Sequence, residues 1–437
     1  MWRKFAIDLT PIRKYPDFRR LWLSGLISFF GSMITMVALP YQIKTLTNSY
    51  LAVGAIGAVE LIPLIVFGLY GGVLADRYDR KKLIWFSELG ALLLTTSLLF
   101  NSLQERPNLV AIYIIAGLFS AVDGLQRPSA GAILPRLVSH EDLPAANALM
   151  SLRWQVGVIL GPSIGGLLIA TYSTSLGYLV DVITYLISLY FLLRVRNVPS
   201  LNKIDNKIDN EESPENSQKS AISALFEGLQ YAFKRKDLLG TYLIDLAAMF
   251  FAMPNALFPF WADQIDAKWS LGLFYAAGTV GSVLVTLTSG WISKYRFHGR
   301  AVIWAAIGWG LAIAISGLVH SVWLVLFFLA AAGASDMVSA LFRSAIWNQT
   351  IPDELRGRLA GIELISYSVG PLAGQMRAAM VAAATSLTIS VTSGGIFCAI
   401  FVALLASFLP TFRKYDVETN EFALREREIR KNREQNS

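Results

Sequence analysis

Seven acidic side chains lie inside stretches of this sequence that are otherwise apolar. They are Glu60, Glu88, Asp123, Asp181, Asp245, Asp336 and Glu363. Ionisable groups in the middle of a membrane are costly, so those that occur there usually have a function. A carboxyl group can exchange protons near neutral pH when burial disfavours its charged form. The residue types therefore suggest proton transfer, with Arg153 and Arg377 as partners for the acids or for a bound molecule.

The apolar stretches indicate a membrane protein. Of the 437 residues, 54% are hydrophobic and 16% are charged, whereas soluble domains average about 25% charged residues. A spanning helix needs about 20 apolar residues. Twelve such spans are predicted, at 21–43, 50–74, 83–103, 108–126, 146–170, 174–193, 238–260, 270–293, 301–320, 322–345, 358–384 and 387–412. The fold class is an all-α membrane protein.

The basic residues predict the orientation of these spans. Positively charged loops stay on the cytoplasmic side, and Lys44, Arg106 and Lys268 are the basic residues in the predicted outer loops. Both termini are therefore predicted to be cytoplasmic. The first span follows a basic stretch and has no small-residue cleavage site, so we expect it to be retained rather than removed as a signal peptide.

Composition divides the chain into four parts. Residues 1–193 are predicted to form a six-helix bundle, and residues 237–412 a second one. The linker 194–236 between them is polar, and its apolar residues at 222–233 have helical spacing, which predicts an amphipathic helix on the membrane surface. The charged tail 413–437 is predicted to be a frayed cytoplasmic helix without a site.

The two bundles resemble each other in sequence. Asp123 corresponds to Asp336, and the pair Gly161 and Pro162 corresponds to Gly370 and Pro371, at offsets of about 210 residues. Parallel repeats of six helices predict two bundles related by an axis along the membrane normal, with a cavity near the midplane. Alternating access by rocking of the bundles is the expected motion.

Two motifs carry a resemblance to a known family. GGVLADRYDRKK, residues 71–82, lies between the second and third spans and resembles the signature loop of the major facilitator superfamily. GVILGPSIGG, residues 157–166 in the fifth span, resembles the glycine-proline motif of its drug/proton antiporters. The resemblance covers residues from about 15 to 412 and looks closest to the branch of enterobactin (siderophore) exporters and macrolide efflux proteins.

The loop motif implies a conformational latch. By the resemblance, its members are Gly72, Asp76, Arg80 and Asp123, with Asp76 at the N-terminus of the eleventh helix and Arg80 paired to Asp123. A carboxylate at a helix N-terminus contributes about 0.3–1 kcal/mol. Asp79 stands where the family usually has Gly. The alternative is that the basic residues of the loop only hold it in the cytoplasm.

The glycine-proline motif implies a tight and bent helix seam that limits leak. Its residues are Gly157, Gly161, Pro162, Gly165 and Gly166. Glycines four apart let helices approach closely, and proline removes a backbone donor. Simple helix packing is the alternative interpretation.

The family arrangement also ranks the acidic residues. It places the first, fourth, seventh and tenth spans around the cavity and the third and sixth outside, which favours Asp245 and Glu60 as proton carriers over Glu88 and Asp181. A buried structural ion pair with Arg153, or a neighbouring hydroxyl group, is the alternative role. Asp123, Asp336 and Glu363 lie near predicted helix ends, where a latch or cap role is expected.

The expected function is proton-coupled export of an amphipathic organic molecule across an inner membrane, with a siderophore of the enterobactin type as the substrate. A multidrug or macrolide efflux pump is the alternative. The sequence has no clustered nucleophile and base, no metal-ligand spacing and no basic domain for nucleic acid, so we expect no enzyme activity and no cofactor. The expected partners are protons, the bilayer and an outer-membrane efflux channel, and the expected state is a monomer.

Overall fold

The chain folds into helices throughout its described part. A computed structural model describes residues 8–196, 230–231 and 233–436, and these contain no strand. The helices are α1 (Thr10–Lys14), α2 (Pro16–Thr47), α3 (Tyr50–Arg77), α4 (Arg80–Ser102), α5 (Leu109–Ile133), α6 (Leu143–Thr171), α7 (Thr174–Leu193), α8 (Lys236–Ala252), α9 (Phe258–Gln264), α10 (Leu271–Leu287), α11 (His298–Leu318), α12 (Val322–Thr350), α13 (Asp353–Ala384), α14 (Leu387–Phe408), α15 (Pro410–Arg413) and α16 (Glu421–Asn436).

The predicted spans coincide with these helices. Among the described residues, 11 segments are long and apolar enough to cross a membrane. The predicted span 358–384, which is not among them, lies within the single helix α13. The all-α membrane fold predicted from the sequence is confirmed.

The chain divides into two compact units. Unit 1 contains residues 1–219 together with 266–276, and unit 2 contains residues 220–265 and 277–437. The segment 266–276, which includes the start of α10, therefore groups with unit 1 rather than with the second predicted bundle. Most of the linker and most of the predicted amphipathic helix at 222–233 fall in 197–229, outside the described residues.

The seventh predicted span is not one continuous helix. It consists of α8, an irregular segment from Met253 and a short α9. Met253 has an extended backbone, with φ −97° and ψ 103°, as expected before Pro254, because proline disfavours a helical conformation in the residue that precedes it. The break leaves carbonyl groups at the end of α8 without helical partners. One of them, the carbonyl of Phe251, accepts a hydrogen bond from Arg377.

The tenth span is longer than hydropathy predicted. Helix α12 continues past residue 345 and ends at Thr350. The next residue, Ile351, has an extended backbone. Pro352 follows and forces this ending. The extension places Arg343 two turns before the end of the helix, whereas the predicted span 322–345 places it only two residues from the end.

The C-terminal tail is anchored on unit 2 rather than frayed. Arg430 donates a hydrogen bond of 2.7 Å to the carbonyl of Asn348 at the end of α12. The ring of Phe422 lies over the guanidinium of Arg235, with 3.4 Å between the ring centroid and the guanidinium carbon. The predicted tail 413–437 therefore has fixed contacts in the first turn and in the second half of α16.

An ion pair at the start of the tail should make its anchoring sensitive to acid. Arg296 donates from Nε to Asp416 over 3.0 Å, and this hydrogen bond holds the pKa of Asp416 below its ordinary value. A lowered carboxyl pKa stabilises the folded form above the unfolded value, about 3.9 for aspartate, and that stabilisation is lost as pH falls through the folded value.

We therefore predict that Asp416→Asn accelerates hydrogen exchange of the α16 amides at neutral pH. The difference between variant and wild type should shrink as pH falls below the ordinary aspartate pKa and vanish below the lowered pKa of Asp416 in the folded protein, where the pair is lost in both. Glu418→Gln is the matched control, because Glu418 contacts the same arginine but is 61% exposed, so a smaller effect is expected. Equal exchange in wild type and Asp416→Asn at neutral pH would contradict the prediction.

Candidate functional site

Unit 2 contains a cavity of about 400 Å³. Its walls come from α8, α12 and α13. The lining residues are Asp245, Met249, Asp336, Ala340, Arg343, Ser344, Trp347, Tyr367 and Pro371. Such a volume accommodates a small molecule or one part of a larger one.

A buried ion pair forms the polar centre of this cavity. Arg343 on α12 pairs with the carboxylate of Asp245 on α8, and both side chains are less than 10% exposed. Asp336 lies further away, with 3.9 Å between its Oδ1 and Nη2 of Arg343, and is 36% exposed. One guanidinium group thus faces two carboxyl groups, one close and buried, the other distant and accessible.

An aromatic wall stands beside the ion pair. The indole of Trp347 stacks on the ring of Tyr242 at a centroid distance of 5.4 Å and donates a hydrogen bond of 2.8 Å to Thr241 Oγ1. Its orientation is therefore fixed. Tyr367 is 47% exposed and lines the cavity from α13. The site combines opposite charges with flat apolar surface, which suits an amphipathic ligand carrying aromatic or anionic groups.

Helical spacing explains how these residues meet. On α12, positions 340, 343, 344 and 347 follow position 336 by four, seven, eight and eleven residues, which places them on one face. Asp245 and Met249 are four apart on α8. The sequence analysis identified Asp245 and Asp336 but missed Arg343. An arginine seven residues after an intramembrane aspartate on the same helix face is the signal that could have found it.

A second set of charged side chains lies in unit 1. Glu60 is half-buried on α3, where its backbone carbonyl accepts a hydrogen bond of 2.8 Å from Ser120, and its carboxyl group experiences the like charge of Asp123. Arg127 donates from Nε to Asp123 over 2.8 Å, one turn along α5. The predicted partner of Asp123 was Arg80. In this conformation Asp123 instead pairs with Arg127, one turn further along the same helix. Arg80 is buried at the first turn of α4.

The remaining latch residues lie where the structure describes the backbone alone. Gly72 and Asp76 belong to α3, and only their backbone is described. The same holds for Glu363 on α13. The departure at Asp79 has a local explanation, since its carboxylate accepts hydrogen bonds from the backbone of Lys81 and Lys82 and so caps α4. An N-terminal cap of this kind contributes about 1 kcal/mol.

The two arginines that the sequence analysis placed inside spans, Arg153 and Arg377, have different surroundings. Arg153 packs its guanidinium against Gly25, where an added Cβ would lie 2.1 Å from Nη1. Arg377 lies against Gly394 and donates to the Phe251 carbonyl at the helix break. That contact favours a structural role for Arg377, because a guanidinium at a helix C-terminus satisfies orphan carbonyl groups.

The glycine-proline motif packs α6 closely against two neighbours within unit 1. An added Cβ on Gly161 would lie 2.4 Å from the Cβ of Met33, and one on Gly166 would lie 2.2 Å from the backbone nitrogen of Gly272. Gly157 and Gly165 face α2 in the same way, and the carbonyl of Pro162 lies against Gly272. The helix backbones therefore approach too closely for side chains at these positions.

We predict that Gly161→Ala lowers the free energy of unfolding by about 1–3 kcal/mol, the usual cost of overpacking. Gly90→Ala on α4 is the matched control, because its Cβ would meet only Val122 at 3.5 Å, an ordinary contact distance. Thermal unfolding of the purified variants in detergent measures both effects. A Gly161→Ala protein as stable as Gly90→Ala would contradict the close packing.

Comparisons with known proteins agree with this architecture. The Major Facilitator Superfamily profile matches residues 21–306. The enterobactin exporter EntS of Shigella boydii is 27% identical over 418 residues, covering 94% of this chain and 96% of the relative. A peptide transporter POT crystallised with sulfate has a TM-score of 0.70 at 11% identity, over 92% of this chain and 96% of its own. A bacterial homologue of the iron transporter ferroportin has a TM-score of 0.66 at 15% identity, over 91% and 98%.

Proposed function

The chain belongs to the Major Facilitator Superfamily, and from that premise we propose that it is a proton-coupled exporter of a siderophore of the enterobactin type. Membership makes it a transporter, and its spanning helices place it in the inner membrane as a multi-pass protein. The similarity to enterobactin exporters over 94% of the chain supports the direction and the substrate class.

The unit 2 cavity is the observation that carries this proposal. A siderophore of the enterobactin type presents aromatic rings and ionisable oxygen atoms. Trp347 and Tyr367 offer surfaces for the rings, and Arg343 offers a cation for the oxygen atoms. Arginine suits such ligands because its planar guanidinium binds oxyanions in a bidentate manner.

Coupling follows from competition between the proton and the substrate for the pair formed by Arg343 and Asp245. When the cavity is open to the cytoplasm and Asp245 is ionised, its carboxylate accepts hydrogen bonds from hydroxyl groups of the substrate, whose other oxygen atoms bind Arg343. When the cavity is open to the outside, a proton binds Asp245, removes that acceptor and releases the substrate. The proton leaves to the cytoplasm when the empty transporter opens there again, so proton and substrate cross the membrane in opposite directions. Glu60 is proposed as the corresponding acid of unit 1, with Arg153 as a further cation for the substrate.

The latch remains part of the proposal. We infer that Gly72, Asp76, Arg80 and Asp123 hold one conformation of the transporter, with Asp123 exchanging between Arg127 and Arg80 as the conformation changes. Both termini are proposed to be cytoplasmic, and the protein is proposed to act as a monomer that passes its substrate towards an outer-membrane channel.

Secretion by iron-starved cells tests the substrate. Cells that lack the gene should retain the siderophore or its breakdown products, and the wild-type gene should restore secretion. Unchanged secretion, combined with increased sensitivity to macrolides or other drugs, would overturn the siderophore assignment and favour the alternative of multidrug efflux.

A further inference from the structure

Polar side chains line the surfaces along which α7 packs against α2 and α4 in unit 1. We call this set the hydroxyl seam. Its members are Ser24, Ser28, Ser32, Thr35 and Gln42 on α2, Glu88 and Thr95 on α4, and Tyr178, Asp181, Thr184, Tyr185 and Ser188 on α7. From residue 24 to residue 42, a helix rises about 27 Å, close to the bilayer core of about 30 Å. The seam is therefore as long as the membrane is thick.

Glu88 occupies one end of the seam. Ser28 donates to its Oε1 over 3.0 Å, and Ser188 donates to its Oε2 over 2.9 Å. Gln126 on α5 adds a longer contact of 3.3 Å to Oε1. The side chain is buried, and its donors are neutral groups from three other helices. The carboxyl group is thus held in a fixed position without an ion pair.

Asp181 occupies the middle of the seam and is fully buried, with 0% of its surface exposed. Thr35 and Thr95 both approach its Oδ2. The hydroxyl of Thr184 lies 2.7 Å from the Asp181 carbonyl and 3.3 Å from Oδ1. A hydroxyl group carries one proton. If the Thr184 proton forms the shorter bond to the carbonyl, no proton lies between the Thr184 oxygen and Oδ1 of Asp181. The contact between these two oxygen atoms is then favourable when Oδ1 itself carries a proton and donates it to Thr184.

Two pairs of hydroxyl groups lie along the seam beside the acids. Ser32 and Tyr185 lie 2.8 Å apart, between the positions of Glu88 and Asp181 along the helices. Ser24 and Ser188 lie 2.7 Å apart beyond Glu88. Ser32 also donates to the Ser28 carbonyl, and Ser188 donates to Glu88, so proton transfer through either pair requires a hydroxyl group to rotate. A rotated hydroxyl group can accept one proton and release another.

The charged surroundings of the two acids are sparse. Within the described part of unit 1, neither carboxyl group has an ion-pair partner. Arg153 on α6 is the basic residue that interacts electrostatically with Glu88, and Glu88 is the acidic residue that interacts electrostatically with Asp181. Tyr178 and Tyr185 are the other titratable groups of the seam. A carboxylate buried without a cation is strongly unfavourable, and a bound proton removes its charge.

We propose that Glu88 and Asp181 are two proton-binding stations of a route along the hydroxyl seam. In each step one O–H bond breaks at a carboxyl or hydroxyl oxygen and one forms at the next, so no other reactant is needed. The inference rests on the proposed proton coupling and deepens it, because the route lies in unit 1 whereas the Asp245 site lies in unit 2. It also reverses the low rank that the sequence analysis gave to these two acids.

Infrared difference spectroscopy on the purified full-length protein tests the stations without any substrate. As pH is stepped from mildly acidic to mildly alkaline, protonated carboxyl groups lose their carbonyl stretching band. Glu88→Gln and Asp181→Asn keep the size of the side chains and should each remove part of this band. Spectra identical to those of wild type would overturn the proposal.

Export from proteoliposomes, with enterobactin as the probe, tests the route. Both variants should lose export driven by a pH gradient while retaining exchange of enterobactin without a gradient. Tyr185→Phe keeps both acids but removes a connecting hydroxyl, and should slow gradient-driven export. Variants that retain full gradient-driven export overturn the route. A wild-type protein that ignores the pH gradient instead refutes the proposed function, and the infrared result then decides on the stations separately.

Discussion

Replacing Asp245 by Asn is expected to abolish export against a concentration gradient while the protein is still made and inserted. Asparagine has nearly the same shape as aspartate and can still accept a hydrogen bond from Arg343. It cannot exchange a proton, so substrate binding and proton release are no longer linked. Exchange of substrate between equal concentrations should persist, because that movement needs no proton.

The measurement is enterobactin accumulation in vesicles with and without a pH gradient. Asp266→Asn is the matched control, since it makes the same substitution at an exposed residue whose left-handed backbone, with φ 51°, is one that asparagine also adopts. Asp245→Asn vesicles that accumulate substrate as wild-type vesicles do would remove Asp245 from the coupling mechanism.

Replacing Arg343 by Gln is expected to have the largest effect on stability. It leaves the Asp245 carboxylate buried without its cation, and breaking a buried ion pair by removing one partner typically costs about 3–5 kcal/mol. The variant should also lose export, because the cavity no longer offers a cation to the substrate.

The double variant Arg343→Gln with Asp245→Asn separates these two effects. Two facing amides leave no carboxylate buried at position 245, and Asp336 is 36% exposed to solvent, so most of the lost stability should return while export stays absent. Thermal unfolding and vesicle transport of the single and double variants measure this. A double variant no more stable than Arg343→Gln alone would contradict a direct ion pair.

The helices were predictable because bilayer thickness and hydropathy constrain them strongly. Their interruptions and ends were less predictable. The break at Met253 and the end of α12 at Ile351 both depend on a following proline, whose local effect is averaged out in a search for apolar stretches. The grouping of 266–276 with unit 1 depends on contacts such as Gly166 with Gly272, which no single-sequence pattern reveals.

The candidate site was predicted in part. Asp245 was found because an acid inside an apolar helix is conspicuous. Arg343 was missed because it lay two residues from the predicted end of its span, where a basic residue is expected at the cytoplasmic side. Glu88 and Asp181 were ranked low from the expected position of their helices. Their hydroxyl partners come from other helices, so hydrogen bonding of this kind becomes visible only when the fold is known.

Transport by the purified protein in proteoliposomes tests the central claim most directly. The vesicles contain the wild-type protein, and enterobactin movement is followed with an imposed pH gradient, with the gradient collapsed by a protonophore, and in vesicles without protein. We predict enterobactin movement against its own gradient, coupled to proton flow in the opposite direction and lost when the protonophore is added. Movement that is the same with and without the pH gradient would contradict proton-coupled export.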